Sequence, residues 1–491
     1  MSKLPHLPLM IDNAPHDDPS ATIITNHSAH LSVPYSTYTS CTPSVAAVAA
    51  ASSQRAFKTW SLTTPSSRRA ILQKTAALVL THQDELVRLQ VEETNCPAQW
   101  AMQGVIWAAA HLEEMAARIT TVLSGELPVV QTPGMTALAY KAPIGPVLSI
   151  PPWNAALFLA CRAIDTPLAV GCTVILKASE QSPRTHHFLA GLFWEAGLPK
   201  GVLNVVQCGR EDAAAVTEVL VSHEAVRKVE FIGSAAVGRA IGALAGKYLK
   251  PMLMELGGKS ALVVCEDADL EGAARAAVMG GFVHHGQICF STERVIVRRE
   301  VEGRFLEVLK AVAAQWDCHS AIGSAGPSRT LKLVKDAVAK GAEVMFGDVQ
   351  LRSETMMTPV ILKGVPKDAE ISDEESFGPV LALYIADSDQ QAVEMANDTQ
   401  YGLAAGVWSK DVVRALRIAR QIEAGQTHIN LPFGTGHDEA TIPVGVTKGS
   451  GFGKGQNGSW GLEEFLATRT VTFTDGQAQT QPTEAANGHG S

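Results

Sequence analysis

From residue 142 onward the chain repeats one pattern: short runs of Val, Ile and Leu alternate with stretches long enough for a helix. The short, largely apolar runs at 146–150, 173–177, 202–206, 228–232 and 252–255 read as buried parallel strands. Parallel strands joined through helices need right-handed crossovers, so these runs predict a doubly wound sheet. After Gly258 the pattern restarts, with strands expected at 260–265, 294–298, 358–362, 379–385, 404–409 and 427–430. Helices are expected between them at about 270–280, 302–315, 330–340, 390–397 and 411–422. The fold class is therefore α/β with two doubly wound domains, and 491 residues exceed what one core serves.

The N-terminal third reads differently. Residues 1–42 are rich in Pro, Ser, Thr and Asn, with one extended piece at 8–13. Thr42-Pro43 offers a cap followed by proline at the first helical position, and helices are expected at 44–60, 66–82, 83–93 and 99–119. Segment 121–141 ends in an extended run at 136–141, and the polar tail 475–491 is expected to be disordered.

Composition removes several classes of function. Net charge is −9 and no dense Lys/Arg run occurs, which argues against a nucleic acid partner. The apolar stretch 155–172 is broken by Arg162 and Asp165, so no membrane span is expected. Eight scattered cysteines form no Cys-x-x-Cys pair, and the first residues lack a continuous apolar run, so a reducing, cytoplasmic setting is expected. His186-His187 and His284-His285 are adjacent pairs rather than helical i, i+4 ligands, so no metal is expected.

Two stretches carry chemistry. Cys289 sits in His284-His285-Gly286-Gln287-Ile288-Cys289-Phe290-Ser291, a turn between a helical and an extended segment. Lone cysteines are commonly inert packing residues. Upstream, Met254-Glu255-Leu256-Gly257-Gly258-Lys259 places a carboxylate beside a glycine turn. A thiol and a carboxylate base together suit acyl chemistry through a covalent intermediate that water later cleaves. Asn154, in Pro151-Pro152-Trp153-Asn154, is a candidate donor to a developing oxyanion, although the same residues make an ordinary turn. Phe231-Ile232-Gly233-Ser234, with Gly238 following, ends a strand and opens a helix, a place suited to a diphosphate. It departs from the Gly-x-Gly-x-x-Gly fingerprint. Lys177 and Glu180 end a neighbouring strand on the same expected rim.

Met254–Ser260 and Gly286–Arg294 together resemble the signature pair of the NAD(P)-dependent aldehyde dehydrogenase superfamily, most of all its salicylaldehyde and vanillin dehydrogenase branch. The likeness runs from about residue 11 to 473. It implies Cys289 as nucleophile attacking as the thiolate, Glu255 as base, and Asn154 with the Cys289 amide as oxyanion hole. It also implies that Lys177 and Glu180 hold the adenosine ribose, with Glu180 favouring NAD over NADP, and that Phe231, Gly233, Ser234 and Gly238 flank the diphosphate. Glu375 and Phe377, in Asp373-Glu374-Glu375-Ser376-Phe377-Gly378, would position the nicotinamide end.

By the same likeness, residues 1–120 and 142–254 form the cofactor domain and 255–430 the catalytic domain. Segments 121–141 and 431–474 would bridge subunits of a homodimer or homotetramer through a small β arm. Arg162, eight residues after Asn154 on a helix they would share, is expected with Phe158 and Phe290 to line a slot for an aromatic or unsaturated aldehyde bearing a polar group. The two phenylalanines suit a plain core equally well. Residues 443–448 replace the family's aromatic and Gly-Gly pair, and 316–327 is shorter than usual. A coenzyme A-acylating semialdehyde dehydrogenase is the alternative enzyme, but that subgroup generally lacks a base at the position of Glu255. A non-catalytic protein on the same fold is the remaining alternative.

Overall fold

The computed structural model describes residues 4–474 apart from residue 435; the tail 475–491 lies outside the described residues. The strands form the two large sheets that the alternating pattern predicts. The first has eight strands, with a parallel core in the order Met252–Glu255, Lys228–Ile232, Val147–Ile150, Val174–Lys177, Leu203–Val206. Chain order reverses between Val147–Ile150 and Lys228–Ile232, which opens a crevice beyond the C-terminal ends of those strands.

The edges are antiparallel. Leu9–Ile11 and Ala14–His16 close one side, so the extended piece at 8–13 is the last strand but one and Ala14–His16 is the edge. Gly451–Phe452 closes the other by pairing with Met254 and Glu255, within a segment expected to bridge subunits. The N-terminal residues also hold a three-stranded sheet of His6–Leu7, Pro34–Thr39 and Ile23–His27, beyond the single extended piece anticipated.

The second sheet runs Glu343–Phe346, Val360–Lys363, Val380–Ala386, Thr292–Arg298, Ser260–Val264, Ala404–Trp408, Gln426–Ile429. All its pairs are parallel except the first, whose edge strand Glu343–Phe346 is short and partly exposed.

Helices Pro43–Trp60, Pro65–Thr81, Gln83–Thr94 and Ala98–Val122 precede the sheets. Thr42 caps the first of them by accepting from Val45 N at 3.4 Å, as Thr-Pro predicts. The last of them packs on Ala156–Val170 within the larger core of the first domain. Met135–Pro143 and Leu466–Thr474 pair antiparallel over nine positions as a two-stranded arm. Strand Met252–Glu255 ends the first sheet and, through Gly257-Gly258, feeds Ser260–Val264 of the second. The C-terminal rim of one sheet therefore meets the N-terminal rim of the other at Glu255.

Candidate active site

Cys289 lies just before Thr292–Arg298, on the strand neighbouring Ser260–Val264, which brings it to that junction. Its turn is strained. His284 and His285 take positive φ of 49° and 58°, a region that residues with side chains rarely adopt. Hydrogen bonds hold it there: Met357 N donates to His285 Nε2 at 3.0 Å, Gln287 Nε2 to His284 O at 3.0 Å, and Ser291 Oγ to Gly286 O at 3.2 Å. Ile322 N also donates to Gln287 Oε1 at 3.2 Å, so the shortened segment after Trp316 buttresses the turn. Gly258 permits the approach, because a Cβ there would stand 2.4 Å from Cys289 O.

Cys289 Sγ donates to Glu255 Oε1 at 3.0 Å, and Arg162 Nη2 donates to Glu255 Oε2 at 2.5 Å. Asn154 Nδ2 donates to Gln287 O at 3.0 Å, while Trp100 Nε1 donates to Asn154 O at 3.1 Å. An amide nitrogen carries two hydrogens, so one Asn154 N–H remains for another acceptor. Burial first, and then the Glu255 carboxylate, push the Cys289 thiol well above its ordinary range. The resting group is thus a thiol, which must lose its proton before it attacks as the thiolate.

Cys289, Glu255 and Asn154 open onto one narrow cavity, lined also by Trp100, Phe158 and Phe290. Two expectations need correction. Asn154 is not on the helix of Arg162: Ala155 has φ −129° and ψ 59°, so the helix starts at Ala156 and leaves Asn154 in the preceding turn. Arg162 does not line the cavity. It lies behind Glu255, 2% exposed, with its guanidinium 5.4 Å from the Phe158 ring centre, because i and i+4 share a helix face.

Sequence reasoning missed Trp100, His437 and Asp438, which also line the cavity. Trp100 comes from a helix with no motif, although an indole two residues into a buried helix was a visible signal. His437 and Asp438 precede the altered 443–448 segment, which is itself pinned by Val444 N to Gln456 O at 2.9 Å and by Gln426 Nε2 to Pro443 O at 2.9 Å.

The expected cofactor residues fall around the crevice of the first sheet. Gly233 follows Lys228–Ile232, and a Cβ there would stand 2.7 Å from the Phe231 ring, so glycine keeps the turn flat at the strand end. Ser234 caps helix Ala235–Lys247 by accepting from Val237 N at 3.4 Å. A flat glycine turn at a helix N-terminus suits a diphosphate. The Phe231 side chain itself is buried in the core, and Gly238, in that helix, packs against Leu256 just beyond strand Met252–Glu255.

Lys177 ends its strand beside Cys208. Glu180 accepts from Arg210 Nε at 3.3 Å, a partner the sequence did not announce. From the second domain, Glu375 Oε1 accepts from Gly258 N at 3.1 Å, and burial pushes its carboxyl up to about 8. Phe377, at φ 51°, meets Trp153 edge to face at 6.1 Å. Both therefore reach the mouth of the crevice from the side of the Cys289 turn.

A model of the aldehyde dehydrogenase family matches residues 17–471. The chain is 42% identical over 441 residues to vanillin dehydrogenase of Pseudomonas fluorescens, covering 88% of this chain and 90% of that protein. It is 38% identical over 436 residues to salicylaldehyde dehydrogenase of Pseudomonas putida, covering 87% and 89% respectively. The crystal structure of a salicylaldehyde dehydrogenase from Pseudomonas putida G7 complexed with salicylaldehyde superposes with a TM-score of 0.92 at 34% identity, over 98% of this chain and 100% of that one. Motif, fold and likeness agree: the chain belongs to the aldehyde dehydrogenase family, enzymes that oxidise aldehydes with NAD(P).

Proposed function

We propose that the chain oxidises an aromatic aldehyde to its carboxylate, with NAD as the preferred acceptor. The observation that carries this reading is the 3.0 Å contact between Cys289 Sγ and Glu255 Oε1, at a cavity walled by Trp100, Phe158 and Phe290. Flat rings suit a planar substrate. The similarity to vanillin and salicylaldehyde dehydrogenases supports the same substrate class.

In this mechanism Glu255 takes the thiol proton and Cys289 Sγ bonds to the aldehyde carbon. The carbonyl oxygen, now negative, is met by the remaining Asn154 Nδ2 hydrogen and the Cys289 amide. A bound nicotinamide would supply the hydride acceptor, and with the hydride gone from the carbon a thioester remains on Cys289. Glu255 sheds its proton to solvent, then takes one from water as that water attacks the thioester. The carboxylic acid departs and the sulfur regains a proton. Arg162 holds Glu255 in place throughout.

Lys177 and Glu180 would hold the adenosine ribose, Gly233 and Ser234 the diphosphate, and Glu375 and Phe377 the nicotinamide end. A carboxylate at Glu180 accepts from a free 2′-hydroxyl and repels a 2′-phosphate, which favours NAD. The two-stranded arm exposes Leu138, Tyr140, Val471 and Phe473, an apolar ribbon suited to a second subunit. No helix among the described residues is long and apolar enough to cross a membrane. The eight cysteines are all free, which suits a reducing cytoplasm.

The test is an aldehyde panel with NAD and with NADP, following the reduced cofactor, on wild type and Cys289→Ala. Turnover of aromatic aldehydes that vanishes in the variant supports the reading; turnover that survives overturns it. Acyl-coenzyme A as the product in place of free acid would move the assignment to the acylating branch.

A further inference from the structure

The cavity beside Cys289 contains a carboxylate that the oxidation leaves unused. Asp438 is 6% exposed and lines the same cavity as Cys289 and Phe158. Its nearest charged partner, Arg162 Nη1, stands 3.9 Å away, while the same guanidinium makes its short contact with Glu255. Among the described residues no hydrogen bond reaches the Asp438 side chain. A buried carboxylate without a donor is costly, and such groups are nearly always satisfied by a partner.

The surroundings say what kind of partner fits. The walls are aromatic and suit a flat ring, and the His437 ring lies 3.6 Å from that of Phe290, centre to centre. Gln426 Nε2 donates to His437 O at 3.3 Å and to Pro443 O at 2.9 Å, which fixes the backbone next to Asp438. A ligand donor is needed at the carboxylate, while an anionic substituent there would face both Asp438 and Glu255.

We propose that Asp438 is the specificity-determining residue of this pocket, accepting a hydrogen bond from a hydroxyl on the ring of the aromatic aldehyde while its aldehyde carbon meets Cys289. This rests on the aldehyde-oxidising reading and deepens it, separating phenolic aldehydes from plain and anionic ones. A site built to hydrogen-bond a hydroxyl discriminates against the analogue lacking it, because the buried acceptor is then left unpaired.

The experiment compares kcat/KM for benzaldehyde, the three hydroxybenzaldehydes and 4-carboxybenzaldehyde in wild type, Asp438→Ala and Asp438→Asn. The best hydroxylated isomer should exceed benzaldehyde by about tenfold or more in wild type. That ratio should collapse in Asp438→Ala and partly return in Asp438→Asn, whose amide oxygen still accepts. A ratio near unity in wild type, or one unchanged in Asp438→Ala, overturns the proposal and leaves Asp438 as a counter-charge to Arg162.

Binding provides a second reading that needs no turnover. Cys289→Ala, titrated with each aldehyde and followed by the absorbance of the ring, should hold a hydroxybenzaldehyde more tightly than benzaldehyde, and the added Asp438→Ala change should remove the difference. Equal binding of hydroxylated and plain rings overturns the proposal. Selective binding without any oxidation by wild type would instead count against the aldehyde-oxidising reading.

Discussion

Arg162 Nη2 stands 2.5 Å from Glu255 Oε2, and the two side chains are 2% and 3% exposed. The other carboxylate oxygen of Glu255 accepts from Cys289 Sγ at 3.0 Å. One buried carboxylate is thus held from behind by a cation while its front meets the thiol. A buried ion pair of this kind is costly to form, and its worth lies in the geometry it fixes. Here the fixed object is the proposed base.

Arg162→Met should therefore strand Glu255 as an uncompensated buried charge. The expected loss is about 3–5 kcal/mol of stability, together with a fall in kcat. Combining it with Glu255→Gln should recover most of the stability and none of the turnover. Thermal or urea unfolding of the single and double variants checks this; equal destabilisation in both would mean that the pair is not coupled.

The acidity of Cys289 gives a prediction of definite sign. Burial and the Glu255 charge both raise the thiol, so the thiolate fraction of wild type should keep increasing above pH 9 without an earlier plateau. Glu255→Gln removes one of these causes and leaves Arg162 as a nearby positive charge. The variant should alkylate with iodoacetamide faster than wild type at pH 8, even though its turnover is lower. Slower alkylation in the variant would mean that the carboxylate favours the standing thiolate.

At the cofactor rim, Arg210 pairs with Glu180 at 3.3 Å, and its side chain is 78% exposed, so the pair itself contributes little to stability. It does offset the charge that would repel a 2′-phosphate. Arg210→Ala should weaken 2′,5′-ADP binding about tenfold and leave 5′-ADP binding nearly unchanged. Calorimetric titration of both nucleotides decides it, and equal effects on the two would remove Arg210 from cofactor choice.

The elements legible in the sequence were those buried on both faces. Strands such as Lys228–Ile232 and Val380–Ala386 are dominated by apolar residues because helices cover both sides of the sheet. Edge strands Ala14–His16 and Glu343–Phe346 escaped notice because exposed positions interrupt them. Within the site, Cys289, Glu255 and Asn154 sit in short motifs that can be read locally. Asp438, His437 and Trp100 reach the cavity only through the fold: Trp100 bonds to a carbonyl 54 residues away, and no spacing rule announces such a contact. The misplaced shared helix of Asn154 and Arg162 is a boundary error, since one non-helical residue, Ala155, separates turn from helix.

In the proposed mechanism Cys289 carries the acyl group and Glu255 directs the water that removes it. Glu255→Gln, mixed with NAD and an aromatic aldehyde and then examined by intact-protein mass spectrometry with peptide mapping, tests both halves together. The expected result is a single burst of NADH and an acyl adduct on Cys289 that persists. Steady turnover in Glu255→Gln with no adduct, or an adduct on another residue, would contradict it.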